Sequence, residues 1–238
     1  MANKFYSTVL SLKLPAIILA IYFLISIILL IVYFLFDFGE KAGALIGGGA
    51  VASVFGLMGL LMDYFNYLNT ETLDKNGVVK FLGRRDDKKY YSEMISKSNR
   101  ELKLLFETSN KFCEDFCTST DGDDLLIRKL VSNENLTVKL LIAEEEFLDN
   151  HGKSRLSSSR IILERMIQRF PDRFLVKVYS HSPNHSIFLT DKDAVVGPYF
   201  PGVRGRTTRS IHFRRDSSFI EKYVEYFDEE WSSSRDYS

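Results

Sequence analysis

The stretch "SPNHSIFLTDKDAVVGPYF", residues 182–200, places two short apolar runs on either side of three charged residues. The runs 185–190 and 194–197 are rich in β-branched and aromatic side chains, and "DKD" between them is a turn signal, so the stretch predicts a β-hairpin. Because alternate residues of a strand point to the same side, His185, Ile187 and Leu189 are expected to share one face.

Upstream of this hairpin, strand and helix patterns alternate. The predicted strands are 101–108, 136–143 and 174–180, and the predicted helices are 90–100, 109–117, 125–131 and 154–170, with a turn at 121–124. Alternation of this kind is typical of βαβ units and predicts an α/β fold with a mixed, mainly parallel sheet flanked by helices. A short strand at 210–213, a C-terminal helix to Trp231 and a disordered tail at 232–238 complete the expected domain at 77–231.

The N-terminal part of the chain has a different composition. Residues 14–36 and 42–62 are free of charged side chains, and each run is long enough to cross a hydrocarbon core of about 30 Å as a helix. The five residues between them allow only a tight connection. Residues 1–62 are therefore predicted to form a transmembrane hairpin in the lipid bilayer, followed by a juxtamembrane linker helix at 63–76.

The positions of basic residues predict the topology. Lys4 and Lys13 precede the first span and several lysines and arginines follow the second, whereas the connection holds only Lys41. Cytoplasmic loops carry the excess of Lys and Arg, so we expect both termini in the cytoplasm of a bacterial-type cell, with the hairpin in its inner membrane.

Small residues line the second span, where they allow another helix to approach closely. The candidates for helix packing are Gly43, Ala44, Gly47, Gly48, Ala52 and Gly56. They can pack against the first span of the same hairpin, or against a second copy in a homodimer or larger homo-oligomer. The two interpretations are compatible.

Charge and cysteine content exclude some function classes. The formal net charge of the whole chain is zero, so a bulk nucleic-acid-binding surface is not expected. Cys113 and Cys117 are the only cysteines, and the four histidines are scattered. No metal site and no cofactor is predicted from these residues.

The segment from "KVYSHSP" into "NHSIFLTDKDAVVGPYF" resembles the phospholipase D-like superfamily, and the resemblance extends over roughly residues 77–231. The signature of that family is His, one residue, Lys, four residues, Asp, and later Gly-Ser-x-Asn. His185 corresponds to the histidine, Asp191 or Asp193 to the aspartate, and Gly197 to the glycine. Ile187 stands where the lysine is expected, the Ser and Asn are missing, and a single motif is present.

The resemblance implies a phosphohistidine mechanism in which one histidine attacks phosphorus and a second protonates the leaving group. The candidate catalytic residues are His185, His212, Asp191 and Asp193. With the lysine replaced by Ile187, other cations would have to hold the phosphoryl oxygens, and a basic segment follows the hairpin. The candidate phosphate-binding residues are Arg204, Arg206, Arg209, Arg214 and Ser186.

Three functions remain open at this point. The favoured one is a membrane-anchored module that binds a phosphate-bearing ligand (a nucleotide, nucleic acid or lipid headgroup), has an eroded catalytic site, and acts as sensor or effector. The second is an active phosphodiesterase or nuclease in which a homodimer pairs two copies of His185. The third is a membrane scaffold or interaction protein.

Overall fold

The structure is a computed structural model that describes residues 2–35, 39–118, 124–200 and 202–237, with side chains described from residue 16 onward except at 40–42. The chain divides into two compact units, residues 1–72 and 73–238. Residues 37 and 38 of the predicted connection at 37–41, and residues 121–123 of the predicted turn at 121–124, lie outside the described residues.

The first unit consists of two long helices, α1 (Ala2–Leu35) and α2 (Glu40–Lys75). Both are long and apolar enough to cross a membrane: the most apolar 18-residue windows within Ala16–Leu35 and Gly43–Lys75 have mean hydropathies of 3.0 and 2.0. The second helix continues without a break through the predicted linker, because residues 63–75 contain neither glycine nor proline.

The α/β unit contains eight strands and five further helices among the described residues, in an order that begins with a short strand and ends with a two-residue one. In chain order the elements are β1 (Val78–Leu82), α3 (Lys88–Lys97), β2 (Glu101–Phe106), α4 (Asn110–Phe116), α5 (Leu125–Ser132), β3 (Thr137–Ala143), α6 (Asn150–Arg169), β4 (Phe174–Tyr179), β5 (His185–Leu189), β6 (Asp193–Pro198), β7 (Ser210–Arg214), α7 (Ser218–Ser233) and β8 (Arg235–Asp236).

The strands form one mixed sheet in the order β1-β7-β6-β5-β2-β3-β4-β8. Only the β2–β3 and β3–β4 pairs are parallel, and the other pairs are antiparallel. The α/β class and the mixed sheet are confirmed, but the expectation of a mainly parallel sheet is wrong. Parallel neighbours need a long crossover, whereas β5, β6 and β7 follow one another as antiparallel neighbours in the sheet.

The pairing register divides the side chains between two faces of the sheet. Ile187 of β5 lies opposite Val196 of β6 and Leu105 of β2, so these side chains point to one face, which α7 covers. Phe188 lies opposite Val195 and Leu104, which point to the other face. Helices α3 to α6 pack against that second face.

The core is built from the central strands, whose apolar residues are sealed on both faces. Leu104, Leu140 and Ile142 are 0% exposed, and Phe227 of α7 is equally buried from the opposite side. Near-continuous apolar runs such as "VKLLIA" are expected for strands covered on both faces. The burial accounts for the fact that β2, β3 and β4 were detectable from the sequence.

Two elements depart from the sequence prediction. β1 was not expected as a strand; it pairs with β7 at the edge of the sheet, with Val79 and Phe81 exposed. In the segment predicted as a disordered tail, α7 extends to Ser233 and Arg235–Asp236 pairs with β4. Arg235 also forms an ion pair with Glu144, which ties this short strand to the end of β3.

Candidate functional site

A cavity of about 360 Å³ lies on the α3–α6 face of the sheet, at the carboxyl end of β2. From β2 the sheet continues through β3 on one side and through β5 on the other. In α/β proteins, ligands bind outside the carboxyl ends of the strands, at the point from which the chain continues to opposite sides of the sheet. The position of the cavity therefore makes it the candidate site.

Side chains of two kinds line this cavity. The aromatic ones are Tyr91, Phe106, Phe112, Phe116, Phe188 and Tyr199. The basic ones are Arg85, Lys111, His151, Arg155, Arg204 and Arg206. Carboxylates are also present, but Asp86 is paired with Arg84, and Asp115 with Lys111.

Arg85 is the central cation of the site. Its guanidinium group lies 5.1 Å from the centre of the Tyr199 ring, and it donates hydrogen bonds to the carbonyl oxygens of Pro198 and Arg209. Its Nε and Nη1 atoms are buried and lack a hydrogen-bond partner in the described part of the chain. Burial lowers the pKa of Arg85, an effect that Tyr199 and Tyr91 oppose. The group remains a cation at neutral pH, because the ordinary pKa of an arginine side chain is far above neutrality.

Gly197 makes room for that guanidinium group. A Cβ atom at this position would lie 2.8 Å from Nη2 of Arg85 and 2.8 Å from the carbonyl oxygen of Arg209. In the resemblance to the phospholipase D-like signature, Gly197 corresponds to the signature glycine. In the structure this residue belongs to β6, and its lack of a side chain permits the close approach of Arg85.

Arg155 of α6 is the second cation held in place by other groups. Its Nη2 atom donates to Oε2 of Glu107 at 3.0 Å, and its Nε atom is buried without a partner among the residues described. Glu107 follows directly on β2, and its backbone N–H donates to the hydroxyl of Tyr199 at 3.1 Å. The Glu107–Arg155 pair therefore links the end of the central strand to α6 at the wall of the cavity.

His185 lies on the other side of the sheet from the cavity. It pairs with Pro198 and shares the α7 face with Ile187, whereas Ser186 and Phe188 line the cavity. The His185 ring meets Tyr223 and Tyr226 of α7 edge to face, at centroid distances of 5.7 and 5.8 Å. Its Nδ1 atom is buried without a hydrogen-bond partner in the described ranges. Burial lowers the pKa of His185, which favours the neutral imidazole.

His212 is separate from both His185 and the cavity. It lies opposite Val195, on the α3 side of the sheet, so the two candidate histidines occupy opposite faces. Its Nε2 atom is 3.0 Å from Oδ1 of Asp193, and its Nδ1 atom is 2.5 Å from the hydroxyl of Tyr90. His212 is thus enclosed in a buried hydrogen-bond chain that anchors α3 to the sheet.

Asp191 has a structural environment at the far end of the sheet. Its carboxylate accepts hydrogen bonds from the backbone N–H groups of Asn99, Arg100 and Glu101, and from the hydroxyl of Ser98. Burial alone would raise the pKa of Asp191, but these hydrogen bonds together lower it. The structure therefore does not bring the four candidate catalytic residues together.

The candidate phosphate-binding residues are divided. Arg204, Arg206 and Ser186 line the cavity. Arg209 is exposed and takes part through its backbone carbonyl. Arg214 lies at the opposite end of β7, where its Nη1 atom is 2.6 Å from Oδ1 of Asp74.

Sequence reasoning missed Arg85, Glu107 and Arg155 as site residues. The available signal was positional: Glu107 is the first polar residue after a buried strand, at the edge where ligands of α/β proteins bind. Arg85 and Arg155 gave no comparable signal, because nothing in their local sequence indicates that the fold brings them to this edge. Among the described residues no group of three or more His, Cys, Asp or Glu side chains is placed to hold a metal ion.

Within the helical hairpin, the predicted packing residues also separate into two sets. Gly47 packs against Tyr33, and Gly56 packs against Tyr22, in an antiparallel arrangement of α1 and α2. Gly48 has no side-chain neighbour within 4 Å of a Cβ position, and Ala44 and Ala52 are exposed. Gly43 is half-buried.

No protein-family model and no curated protein sequence matches the chain. Solved structures with a similar fold exist at low identity. TrmBL2, described as an archaeal chromatin protein with a novel mode of DNA binding, has a TM-score of 0.46 at 12% identity, over 82% of this chain and 70% of its own. NucT from Helicobacter pylori has a TM-score of 0.38 at 13% identity, over 63% of this chain and 91% of its own.

The third structure is phosphatidylserine synthase from Haemophilus influenzae Rd KW20, with a TM-score of 0.42 at 9% identity, over 66% of this chain and 39% of its own. NucT and the synthase are phospholipase D-like folds. At these identities and TM-scores, the similarity carries no information about the ligand or the activity of this chain.

Proposed function

We propose that the chain is a membrane-anchored module whose α/β unit binds a phosphate-bearing ligand in the cavity beside Arg85, and that it acts as a sensor or effector without phosphoryl transfer of its own. The observation that carries this proposal is Arg85 itself. It is a largely buried cation that forms no ion pair with any described carboxylate, and two of its nitrogens lack partners. Its planar fork of donors suits a phosphate group.

The energetic argument concerns the cost of burying a charge. A desolvated cation without an anionic partner destabilises the fold, because it has lost its interaction with water and gained only carbonyl dipoles. A phosphate oxygen next to Arg85 would offset that cost through charge-assisted hydrogen bonds. Arg155 would add a second donor group, and Arg204 and Arg206 would raise the positive potential at the entrance.

The position of His185 supports binding rather than catalysis. A nucleophile must reach the phosphorus atom of the bound ligand, and the His185 ring lies on the opposite face of the sheet, against α7. Ser186 occupies the strand position that faces the cavity. The residue pattern at this strand is thus compatible with an eroded site that has kept the ability to bind anions.

The membrane part of the proposal rests on the two apolar helices. With α1 and α2 in the bilayer and both termini in the cytoplasm, the α/β unit would meet cytosolic ligands while attached to the inner membrane. Cysteine scanning of the full-length chain, with a membrane-impermeant thiol reagent on intact cells, tests this topology. Labelling at a cysteine introduced at Glu225 from outside the cell would contradict it, since Glu225 lies in α7 of the α/β unit.

The binding proposal is tested with the full-length chain in detergent micelles. Inorganic phosphate and pyrophosphate are titrated while thermal unfolding is followed, since a ligand that binds only the native state stabilises it by about 2.7 kcal/mol at a hundredfold excess over Kd. In the Arg155→Ala variant, at least ten times more phosphate or pyrophosphate should be needed to reach the same stabilisation. The matched control is Arg160→Ala on the same helix, because Arg160 is exposed and outside the cavity. Unchanged stability with both anions in the wild-type chain would refute the proposal.

A second candidate is the phosphodiesterase formed by a homodimer. One observation favours it: the pKa of His185 is lowered by burial, and its Nδ1 atom has no described partner, so a neutral imidazole with a free lone pair is available. Hydrolysis of an activated phosphodiester by the full-length chain, abolished by His185→Ala and retained by His181→Ala, would establish it. Turnover that survives the His185 substitution would eliminate it.

A further inference from the structure

The cavity is larger than a phosphate group requires, and its inner wall is aromatic. Phe112, Phe116 and Phe188 are at most 6% exposed and form the buried side, and Phe106 at the end of β2 is partly exposed. The basic residues Arg204 and Arg206 lie on the exposed side. A ligand that fills about 360 Å³ therefore needs an apolar part next to its anionic group.

Polar groups interrupt this aromatic wall and restrict what the apolar part can be. Thr108 and Asn110 follow β2 directly, and Ser186 faces the same space from β5. Hydroxyl and amide groups suit a planar heterocycle that carries hydrogen-bond donors and acceptors on its edge. They suit a hydrocarbon chain less, because it would remove water from groups such as the carbonyl oxygen of Asn110, whose Nδ2 atom already donates to Glu114, and would offer no hydrogen bond in return.

We propose that the ligand is a nucleotide whose base lies against the aromatic wall around Phe106 and whose phosphate lies at Arg85 and Arg155; this inference rests on the proposed phosphate-binding function. A cavity of about 360 Å³ lies within the range of pockets that hold small molecules. Bases stack on aromatic side chains, and guanidinium groups bind the phosphate, so both halves of the ligand find a counterpart. Arg85, which already lies over the Tyr199 ring, connects the two halves of the site.

The test measures equilibrium affinities by calorimetry with the full-length chain in detergent. The ligands are AMP, UMP, adenosine, ribose 5-phosphate, inorganic phosphate and a short-chain phosphatidic acid below its micellar concentration. We expect at least one nucleoside monophosphate to bind tenfold or more tightly than ribose 5-phosphate and inorganic phosphate, because one base–aromatic contact accounts for roughly that factor.

The variant Phe106→Leu isolates the contribution of the ring. It keeps an apolar residue of similar size at the end of β2, and should reduce the affinity for the nucleotide about tenfold while leaving the affinity for inorganic phosphate unchanged. The matched control is Phe219→Leu, because Phe219 is 49% exposed and lies on the α7 side of the sheet. The control should bind the nucleotide like the wild-type chain.

The outcomes separate this inference from the proposal on which it rests. Equal affinities for nucleotide, ribose 5-phosphate and inorganic phosphate would overturn the nucleotide assignment and leave phosphate binding intact. Tighter binding of the phosphatidic acid than of any nucleotide would also overturn the nucleotide assignment. It would identify the ligand as a lipid headgroup and leave phosphate binding intact. Equal affinities for adenosine and AMP, or no binding of any phosphate-bearing ligand, would overturn the proposed function as well.

Discussion

The substitution Gly197→Ala probes the contact on which the candidate site depends. A Cβ atom at this position would lie 2.8 Å from the Arg209 carbonyl oxygen, 2.8 Å from Nη2 of Arg85 and 2.9 Å from Cβ of Ser210. Two of these neighbours belong to β7 and the residue before it, so they cannot give way as a flexible side chain can. The strands β6 and β7 must separate slightly, and the Arg85 guanidinium group must leave its position.

The expected cost follows from overpacking. Forcing an extra methyl group into a closely packed contact destabilises a protein by about 1–3 kcal/mol. For a unit of this size, each kcal/mol lowers Tm by roughly 2–4 °C, so the variant should unfold roughly 2–12 °C below the wild-type chain. Gly83→Ala is the matched control, because nothing lies within 4 Å of a Cβ atom there. Its Tm should be unchanged, or higher by the equivalent of less than about 1 kcal/mol.

The assay is thermal unfolding followed by tryptophan fluorescence. Trp231 is the single tryptophan of the chain and belongs to α7, where it stacks on Phe227 at a centroid distance of 6.1 Å. Its emission therefore reports the unfolding of the α/β unit. Gly197→Ala should also weaken phosphate binding, since Arg85 is displaced. A Tm equal to that of Gly83→Ala, together with unaltered phosphate affinity, would refute the assignment of Gly197 as the residue that seats Arg85.

Three further predictions concern other parts of the molecule. Asp191→Asn should destabilise the α/β unit by about 1–3 kcal/mol at neutral pH. The pKa of Asp191 is lowered in the folded state, so the difference in unfolding free energy between the wild-type chain and the variant, measured by denaturant titration, should shrink as the pH falls through that pKa. The pKa of His185 is lowered by burial, so wild-type stability should decline as the pH falls below about 6.5, and His185→Gln should reduce this decline in unfolding curves at pH 8 and 5.5. Gly56→Leu should disrupt the contact between α1 and α2, measured by crosslinking of paired cysteines, whereas Gly48→Leu should preserve it. If Gly48→Leu loses self-association and Gly56→Leu does not, the Gly48 face of α2 contacts a second copy of the chain. Unchanged self-association in Gly48→Leu would refute that contact.

The strands and helices of the α/β unit were predictable because their signals are local. Apolar runs such as residues 101–106 and 137–143 are buried on both faces, and this leaves a continuous pattern in the sequence. The direction of pairing was not predictable in the same way, because it depends on which strands become neighbours. β1 was missed for a related reason: it is a short edge strand with exposed apolar side chains, so it has no alternating pattern.

The candidate site was only partly predictable. The alternation that places His185 and Ile187 on one face of their strand was predicted correctly, but which face borders a cavity could not be predicted. That depends on the packing of α3 to α6 on one side and α7 on the other. Arg85, Glu107 and Arg155 come from three separate segments, and only the assembled sheet brings them to one edge. Long-range assembly of this kind leaves no local signal.

The face on which a residue lies also decides whether His185 can act on a ligand in the cavity. In a strand, a shift of one residue exchanges the two faces, and here the cavity receives Ser186 where a nucleophile would be needed. For His185 to reach a ligand in the cavity, either β5 would have to slip by one position against both β2 and β6, or the ligand would have to bind under α7. The first would remove Ile187 and Leu189, which are at most 1% exposed, from their packing under α7, and the second would displace Tyr223 and Tyr226. Catalysis through His185 therefore requires a rearrangement of the core, whereas Arg85 already lines the cavity in which the proposed anion would bind.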